Sequence, residues 1–515
     1  MEFQMRVRLG IVLAILVAFT SFCKKDGSDS QTKGPLKILV GADPVTLDPQ
    51  IPFEVDSSYI LGNIFDSLVE FDGSFRLKPG LAKRWTNPDD KTWRFYLNEK
   101  SFFSDGSPLK ASDVAFSINR IKTLQNSDLM GFTEHISQIQ VLNDYTVDIK
   151  TDTPFSILNN LVFIPIMSEK QTRQAGNRIS EMPVGTGPYK LSSRQKNQKI
   201  SLTLNEYYTP KPEVQEIDFI ISNQIERVLD DVLRIKPDIT LTLPFRKIEE
   251  FQKINPPDLE LLASNGISVE YLIFNLKPNV SGFEENPLLD IRLRKALAQS
   301  IDRKEIVRAI FKGFGRPATQ LIAPEIFGYD NSLKPPDFNP TEAKRLVQEG
   351  GYGRIELTIH ALEGSSFRFE NLLIEAWKKI GIHASLRKWK DTTEMNRDLN
   401  SGNFLLALGG YVCTSGDAGE LLSFGLHTRR EDSSYGKGNY AHYSNPEIDR
   451  ITEENLRVLD AKSRLEMIQN GMKIINEDIP YLPLLIYDDV YIVSKRIHWT
   501  PTPSGELKVR TILYY

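Results

Sequence analysis

The sequence predicts a mixed α/β protein of several lobes behind an export signal. Three observations support this prediction. The chain has 515 residues, which is too many for one ordinary hydrophobic core. Segments with the period of strands and segments with the period of helices follow one another without a strict strand–helix–strand rhythm. A basic start, a short apolar run and a cysteine stand at the N-terminus.

The N-terminal segment has the layout of a secretory signal peptide. Arg6 and Arg8 precede an apolar run from Leu9 to Phe22. This run is shorter than the roughly 20 residues that a helix needs to cross a bilayer. Cys23 follows at once, which suggests a bacterial lipoprotein that keeps this cysteine as an acylated N-terminus. Cleavage nearby without lipidation is the alternative.

The composition excludes some classes of function. Hydrophobic residues make up 40% of the chain and charged residues 25%, as in soluble globular proteins. The formal net charge of −4 lacks the basic footprint of a nucleic-acid-binding surface, so we expect no nucleic-acid partner. Cys23 and Cys413 are the two cysteines. If Cys23 is acylated, Cys413 has no partner, and we expect it to be a buried small apolar residue.

Several strands and helices can be placed from their patterns. Residues 24–34 are polar and lack an apolar period, as expected of a flexible tether. The body starts with an apolar strand at Leu36–Val40, and Thr92–Leu97 alternates with the period of a half-buried strand. Asn339-Pro340 and Asn445-Pro446 are typical helix starts. Asp460 can cap a further helix, and Gly350 ends the one that begins at Pro340.

The chain carries no recognisable catalytic motif. Its six histidines are scattered, and none is spaced to place two metal ligands on one helix face. There is neither a G-x-S-x-G nucleophile elbow nor a phosphate-binding G-x-x-x-x-G-K-[ST] loop. We therefore predict a protein that is not an enzyme, with no metal site and no cofactor.

One segment rich in glycine and proline stands out. Pro183–Tyr189, with the sequence PVGTGPY, places two glycines and two prolines in a short stretch. Glycine permits close approach of backbones, and proline fixes the path of the chain. The segment is predicted to be a rigid crossing between lobes, with an ordinary surface turn as the alternative.

A series of motifs in the first half resembles a known family. The motifs are Asp43–Pro49 (DPVTLDP), Asn63–Val69 (NIFDSLV), Leu77–Trp85 (LKPGLAKRW), Phe102–Val114 (FFSDGSPLKASDV) and Gly185–Tyr189 (GTGPY). They resemble, in order, those of family 5 extracytoplasmic solute-binding proteins. These are the oligopeptide-, dipeptide- and nickel-binding receptors of ABC importers.

The resemblance continues to about residue 500. Its later motifs are Phe274-Asn275, Asn286–Leu297, Ile301–Arg303, Gly313–Ala318, Ala343–Tyr352, Ile380–Ile382, Tyr443–Asp449 and Asp478–Leu484. Because the motifs occur in the family's order, chance is a poor explanation. A lipoprotein start agrees with the family independently.

The resemblance implies an α/β fold like that of periplasmic binding proteins of type II, cluster C. Two lobes would enclose the ligand and close by a hinge motion, and a third would be an extra lobe characteristic of the family. The predicted hinges lie near residues 284 and 489. The predicted parts are the signal peptide 1–22, the lipidated cysteine and tether 23–35, a discontinuous lobe I (36–66, 183–284 and 489–515), lobe II (67–182) and lobe III (285–488).

The same resemblance points to residues 409–417 as the segment closest to the ligand. Peptide-binding relatives often carry Trp-x-x-Asp here, and that carboxylate pairs with the peptide's ammonium group. In this chain Tyr411 replaces the tryptophan and Thr414 falls on the aspartate position, so the loop lacks that charge. Asp417 could take over the anchoring role, or it could bond to backbone amides. The candidate ligand-binding residues are Asp417, Tyr411, Thr414, Gly410 and Asn275.

The resemblance implies a monomeric solute-binding lipoprotein of an ABC transporter, held at a membrane through Cys23. Its expected partners are a peptide or another small solute, the permease and the ATPase. Oligo- or dipeptides are the predicted ligands. Nickel or a metal chelate is an alternative ligand, and a surface adhesin or sensory lipoprotein that reuses the fold is an alternative function.

Overall fold

The computed structural model describes residues 34–51, 54–280, 282–363 and 369–515. The chain divides into a first unit, Met1–Pro35, and a second unit, Leu36–Tyr515. The predicted signal peptide, Cys23 and most of the tether lie outside the described residues, so lipidation stays a prediction. No helix in the described part of the chain is long and apolar enough to cross a membrane.

Strands and helices mix along the second unit without strict alternation, as the sequence predicts. The strands are β1 (Leu36–Val40), β2 (Val69–Phe71), β3 (Leu77–Pro79), β4 (Ala82–Asp89), β5 (Thr92–Leu97), β6 (Ile136–Asn143), β7 (Thr146–Thr151), β8 (Tyr189–Gln195), β9 (Lys199–Leu204), β10 (Glu216–Ile221), β11 (Ile239–Thr240), β12 (Leu259–Ser264), β13 (Ser268–Phe274), β14 (Gly315–Pro317), β15 (Glu356–Leu362), β16 (His383–Trp389), β17 (Leu406–Val412), β18 (Tyr481–Tyr487), β19 (Asp489–Ser494), β20 (Ile497–His498) and β21 (Leu513–Tyr514). The helices are α1 (Val55–Leu61), α2 (Ala111–Thr123), α3 (Leu158–Leu161), α4 (Glu169–Ala175), α5 (Val228–Ile235), α6 (Phe245–Ile254), α7 (Ile291–Gln299), α8 (Arg303–Phe311), α9 (Pro340–Glu349), α10 (Glu370–Lys379), α11 (Thr392–Ser401), α12 (Ala418–Leu421), α13 (Pro446–Asn455) and α14 (Ala461–Asp478).

A seven-stranded sheet has the order β12-β19-β11-β1-β10-β9-β8. Its strand β1 pairs in parallel with β10 and β11, while the other pairs are antiparallel. Because side chains alternate along a strand, Leu36, Ile38 and Val40 pack into one core and Leu39 packs into another. The consecutive apolar residues Ile38, Leu39 and Val40 of β1 are thus explained by burial on both faces.

A six-stranded sheet has the order β14-β18-β13-β17-β15-β16. It also separates two cores: Leu272 and Phe274 of β13 pack on one side, and Val269 and Ile273 pack on the other. Pairs of β13 with β17 and with β18 are antiparallel, whereas β15 pairs in parallel with β16 and β17.

The chain passes between these two sheets twice. The first passage lies between the end of β12 at Ser264 and the start of β13 at Ser268, whereas the sequence placed it near residue 284. The difference arises because every residue of β13 pairs with β17, which places 268–274 in the six-stranded sheet. The return passage lies at Asp488, between β18 and β19, close to the predicted position.

One guanidinium group joins the two passages. Nη2 of Arg316 donates to the carbonyl oxygen of Gly266 at 3.2 Å, and Nη1 donates to Asp488 at 3.2 Å. Arg316 also pairs with Glu325 at 2.9 Å. Gly266 packs so closely that an added Cβ would lie 2.0 Å from the carbonyl oxygen of Tyr487. The two passages therefore form one tightly packed bridge.

A smaller sheet has the order β4-β5-β7-β6 and is antiparallel throughout. Trp93, Phe95 and Leu97 of β5 pack into its core, which confirms the strand predicted from the alternation at Thr92–Leu97. Trp85 packs against the same core from β4. These elements lie within the predicted lobe II, but the division into three lobes as a whole stays a prediction.

The PVGTGPY segment runs against the chain that leaves the seven-stranded sheet for the smaller one. The amide of Gly187 donates to the carbonyl oxygen of Ile64 at 2.8 Å, and Cβ atoms added to Gly185 and Gly187 would lie 2.0 Å and 2.7 Å from that oxygen. A side chain at either position would collide with backbone. The glycines thus allow the outgoing and returning segments to lie side by side.

The predicted helix starts are confirmed. The side chain of Asn339 accepts from the Glu342 amide at 3.1 Å at the start of α9. Asn445 caps α13 by accepting from Glu447 at 3.0 Å, and Asp460 caps α14 by accepting from the Ser463 amide at 2.9 Å. Each cap satisfies an amide that the first turn leaves without a partner in the helix.

Candidate ligand-binding site

The predicted ligand segment begins on β17, which carries an open edge. β17 pairs with β13 along its whole length, but on the other side β15 pairs only with Leu406 and Ala407. No strand of the described residues continues that side over residues 408–412. A strand edge of this kind can accept an extended peptide through backbone hydrogen bonds.

Gly410 and Glu270 face each other across β17 and β13. They are partners in the register, and a Cβ added to Gly410 would lie 2.9 Å from Oε1 of Glu270. Burial raises the pKa of Glu270 to about 7. No described residue forms a hydrogen bond or an ion pair with the Glu270 carboxyl group. The site thus contains a half-buried carboxyl group without a counter-charge.

The phenol of Tyr487 is affected by the charge of this carboxyl group and by that of a second one, Asp489, at the passage between the sheets. Burial raises the pKa of Tyr487 to about 12, and the charges of Glu270 and Asp489 add to that effect. Burial, with a smaller contribution from Asp488, raises the pKa of Asp489 to about 6. Glu270 belongs to the six-stranded sheet and Asp489 to the seven-stranded sheet. Acidic side chains therefore reach this region from both sheets.

Tyr411 is half-buried and is bonded within the protein. Its hydroxyl donates to Oε1 of Glu420 at 3.1 Å, and the hydroxyl of Ser415 donates to the other oxygen of the same carboxyl group. Burial raises the pKa of Glu420, and these two hydrogen bonds oppose that rise. The ring packs against the core that contains Val269.

Thr414 is half-buried, and its amide donates to the carbonyl oxygen of Val412 at 3.0 Å. Its hydroxyl has no hydrogen bond with a described residue. A threonine at this position can offer a hydroxyl to a ligand but no charge.

The Asp417 carboxylate already has hydrogen-bond and ion-pair partners within the protein. Its carboxylate accepts from Nη2 of Arg464 at 2.8 Å, and Nη1 of Arg464 bonds the other oxygen. It also caps α12 by accepting from the Gly419 amide at 2.8 Å. The Gly419 hydrogen bond is of the backbone-amide kind that the sequence offered as the alternative to anchoring a ligand, whereas the Arg464 ion pair was not predicted.

The loop after β17 is covered by a residue of α3 and a residue of the turn between β2 and β3. The side-chain amide of Asn159 donates to the carbonyl oxygen of Ser415 at 2.7 Å, and Phe75 packs against Gly416. Cys413 is buried, as the sequence predicts, and forms no disulfide with a described residue; burial raises the pKa of its thiol. Cys413 thus lacks the properties of a nucleophile.

Asn275 is fully buried at the other end of β13. Its side-chain nitrogen donates to the carbonyl oxygens of Gly402 and Phe404 at 2.9 and 2.6 Å, and its oxygen accepts from the Lys277 amide at 3.1 Å. The structure does not bring Asn275 together with the other candidates. Its hydrogen bonds join loop and strand instead.

A separate basic cavity of about 830 Å³ opens near this far end of β13. Lys277, Arg429, Arg430 and Lys437 line it together with His442. Burial and the neighbouring Lys277 and Arg429 charges lower the pKa of His442 to about 4. All its lining residues lie within 277–442, so this cavity does not lie between the two large sheets. No group of three or more His, Cys, Asp or Glu residues in the described ranges could hold a metal ion.

Sequence reasoning missed Glu270. The available signal was an acidic residue inside the otherwise apolar run Val269–Phe274, just before the Phe274-Asn275 motif. An ionised side chain in such a strand is costly unless it has a partner or a function. That Glu270 has no partner among the described residues can be recognised only in the structure, where the residue opposite it on β17 is Gly410.

The two large mixed sheets joined by a double passage, with a smaller third sheet, are consistent with the type II periplasmic-binding-protein fold, which confirms the predicted α/β class. The chain belongs to the bacterial extracellular solute-binding proteins of family 5, whose middle-region model matches residues 76–433. Its function is therefore to bind a solute outside the cytoplasm.

Relatives of known name cover most of the chain. It is 24% identical to the heme-binding protein A of Haemophilus influenzae, over 82% of this chain and 81% of that protein. It is 26% identical to the periplasmic oligopeptide-binding protein OppA of Salmonella typhimurium, over 88% of this chain and 87% of that protein. The solved structure of HbpA2 from Haemophilus parasuis superposes with a TM-score of 0.82 at 22% identity, over 93% of this chain and all of that one.

Proposed function

We propose that this protein captures peptides between its two large sheets and delivers them to the permease of an ABC importer. The observation that carries the proposal is the open edge of β17 over residues 408–412. An extended peptide can bond this edge through its backbone, which makes binding independent of most side chains. The similarity to OppA supports the same ligand class.

We also propose that the two sheets move relative to each other around the bridge at residues 265–267 and Asp488. Hinges are short segments between rigid elements, and these are the positions where the chain leaves one sheet for the other. The predicted lobes I and III would then meet at residue 266 rather than at 284. Closure on the peptide would present both lobes to the permease.

Binding is tested by thermal unfolding of the purified protein against di- to octapeptides. A ligand that binds only the folded state at one hundred times its Kd stabilises it by about 2.7 kcal/mol and raises the midpoint. We expect peptides to raise the midpoint, whereas hemin and the nickel–histidine chelate should not. A shift with hemin or the chelate and none with peptides would contradict the peptide assignment.

We propose, finally, that Cys23 is acylated after cleavage behind residue 22 and holds the receptor at a membrane beside its permease. The arrangement of basic, apolar and cysteine residues supports this proposal. A clickable palmitate analogue fed to expressing cells should label the protein, and Cys23→Ser should abolish the label. Equal labelling of both forms would contradict it.

A further inference from the structure

Glu270 is a carboxyl group of the site that no described residue bonds. It lies on β13, is half-buried, and forms no hydrogen bond or ion pair with the residues that the structure describes. Its partner in the register, Gly410, brings only hydrogen atoms toward it. Holding an ionised carboxylate away from water without a counter-charge destabilises a fold. A ligand that supplies the positive charge would remove this cost.

Three other acidic side chains around the site are already bonded within the protein. Asp417 is held by Arg464, Glu420 accepts from Tyr411 and Ser415, and Asp488 pairs with Arg316. These groups are neutralised or satisfied by the protein. Glu270 differs from these three because no described residue bonds its carboxyl group, which leaves that role to a ligand.

We propose that Glu270 recognises an alkylammonium or guanidinium group of the bound solute and so fills the role that Thr414 cannot. The inference rests on the proposed function and extends it, because it assigns a positive charge to the ligand next to the backbone edge of β17. The charge could be the N-terminal ammonium of a peptide or the side chain of a lysine or arginine.

Gly410 leaves space for the Glu270 carboxyl group. A Cβ at this position would lie 2.9 Å from Oε1, so a larger residue would displace the carboxyl group from its place against β17. The same residue belongs to the strand whose edge is open over 408–412. Charge recognition and backbone recognition are thus brought together at one point of the sheet.

The groups around Glu270 make the affinity for a cationic ligand depend on pH. Tyr271 on the same strand and Tyr487 on β18 are the titratable groups whose pKa the Glu270 charge raises, and both phenols are neutral near pH 7. The Asp489 charge raises the pKa of the same Tyr487 phenol. Because burial sets the pKa of Glu270 at about 7, affinity for a cation should increase as the pH rises from 6 to 8.

The test compares the wild type with Glu270→Gln by calorimetry. The matched control is Glu260→Gln, which removes an exposed carboxylate from β12. The probes are Ala-Ala-Ala, N-acetyl-Ala-Lys-Ala, N-acetyl-Ala-Ala-Ala and cadaverine. We expect Glu270→Gln to weaken at least one ammonium-bearing peptide about tenfold or more and to abolish its pH dependence. N-acetyl-Ala-Ala-Ala should bind both forms equally, and Glu260→Gln should match the wild type.

The probe that loses affinity identifies the source of the charge. Loss with Ala-Ala-Ala indicates the N-terminal ammonium, and loss with N-acetyl-Ala-Lys-Ala indicates a side chain. Unchanged affinity of Glu270→Gln for both peptides overturns the inference but leaves the peptide function standing. Binding of cadaverine alone, lost in Glu270→Gln, supports the inference and overturns the peptide function. If no probe binds the wild type, both the Glu270 inference and the proposed peptide function are contradicted.

Discussion

Arg464 neutralises Asp417 through two nitrogens, with Nη2 2.8 Å from Oδ1 and Nη1 bonded to the second oxygen. The side chains are only 12% and 13% exposed. The acidic residue nearest to the expected anchor position is therefore part of the framework that shapes the loop. This pair moves the search for a cation-binding group from the loop to the neighbouring strand β13.

Asp417→Ala should lower the free energy of unfolding by about 3 kcal/mol, because it leaves the Arg464 charge largely buried without a partner. It also removes the cap of α12. Chemical denaturation measures the change. The control is Asp391→Ala, which removes an exposed cap of α11 without breaking an ion pair and should cost about 1 kcal/mol. Equal costs for the two variants would argue against the pair as a stabilising contact.

Gly266→Ala should destabilise the protein by about 3 kcal/mol or more, since its Cβ would lie 2.0 Å from the carbonyl oxygen of Tyr487. This collision can be avoided only if the two passages between the sheets move apart. The comparison is Gly131→Ala, where nothing lies within 4 Å of the added atom. Thermal unfolding of both variants checks this. Similar midpoints would show that the passages are looser than the contact indicates.

Cys413 should be inert in the folded protein. It is 1% exposed, and burial raises the pKa of its thiol, so little thiolate is available for reaction. Treatment with iodoacetamide at pH 8, followed by peptide mass mapping, should leave Cys413 unmodified. The same treatment in 6 M guanidinium chloride should modify it fully, as the accessible control. Rapid native modification would show that the loop after β17 opens.

Glu270→Gln should stabilise the protein without ligand at pH 8 and much less at pH 4.5. The folded state binds the Glu270 proton more tightly than the unfolded chain, because burial raises its pKa from 4.5 to about 7. The stability linked to this proton is complete below about pH 4.5 and is lost as the pH rises through 7. Glutamine cannot ionise and avoids this loss. The midpoint of thermal unfolding of Glu270→Gln should therefore exceed that of the wild type by about 2 °C or more at pH 8.

An equal difference between the two proteins at both pH values would contradict the raised pKa of Glu270. Glu260→Gln again serves as the control, because its exposed carboxylate has no burial to escape. Its midpoint should follow the wild type across the same range.

Local sequence patterns predicted much of the secondary structure. Asn339 and Asp460 cap helices where the sequence places helix starts, since a cap depends on residues a few positions away. The alternation in β5 predicts its buried face for the same reason. The passage near residue 266 could not be found this way, because it depends on whether β13 pairs with β12 or with β17. Strand pairing across long sequence distances leaves no local mark.

The sequence by itself determined the family and the mixed α/β class, because ordered motifs and local periodicities can be read directly along the chain. The export signal at its N-terminus stays a prediction. It also showed that Thr414 cannot supply the charge usual at that position. Only the tertiary structure decided which carboxyl groups are already bonded. Arg464 reaches Asp417 from a distant helix, whereas no residue in the described ranges pairs with Glu270. That difference arises from packing between segments far apart in sequence, where burial and charge pairing set the energy of each group.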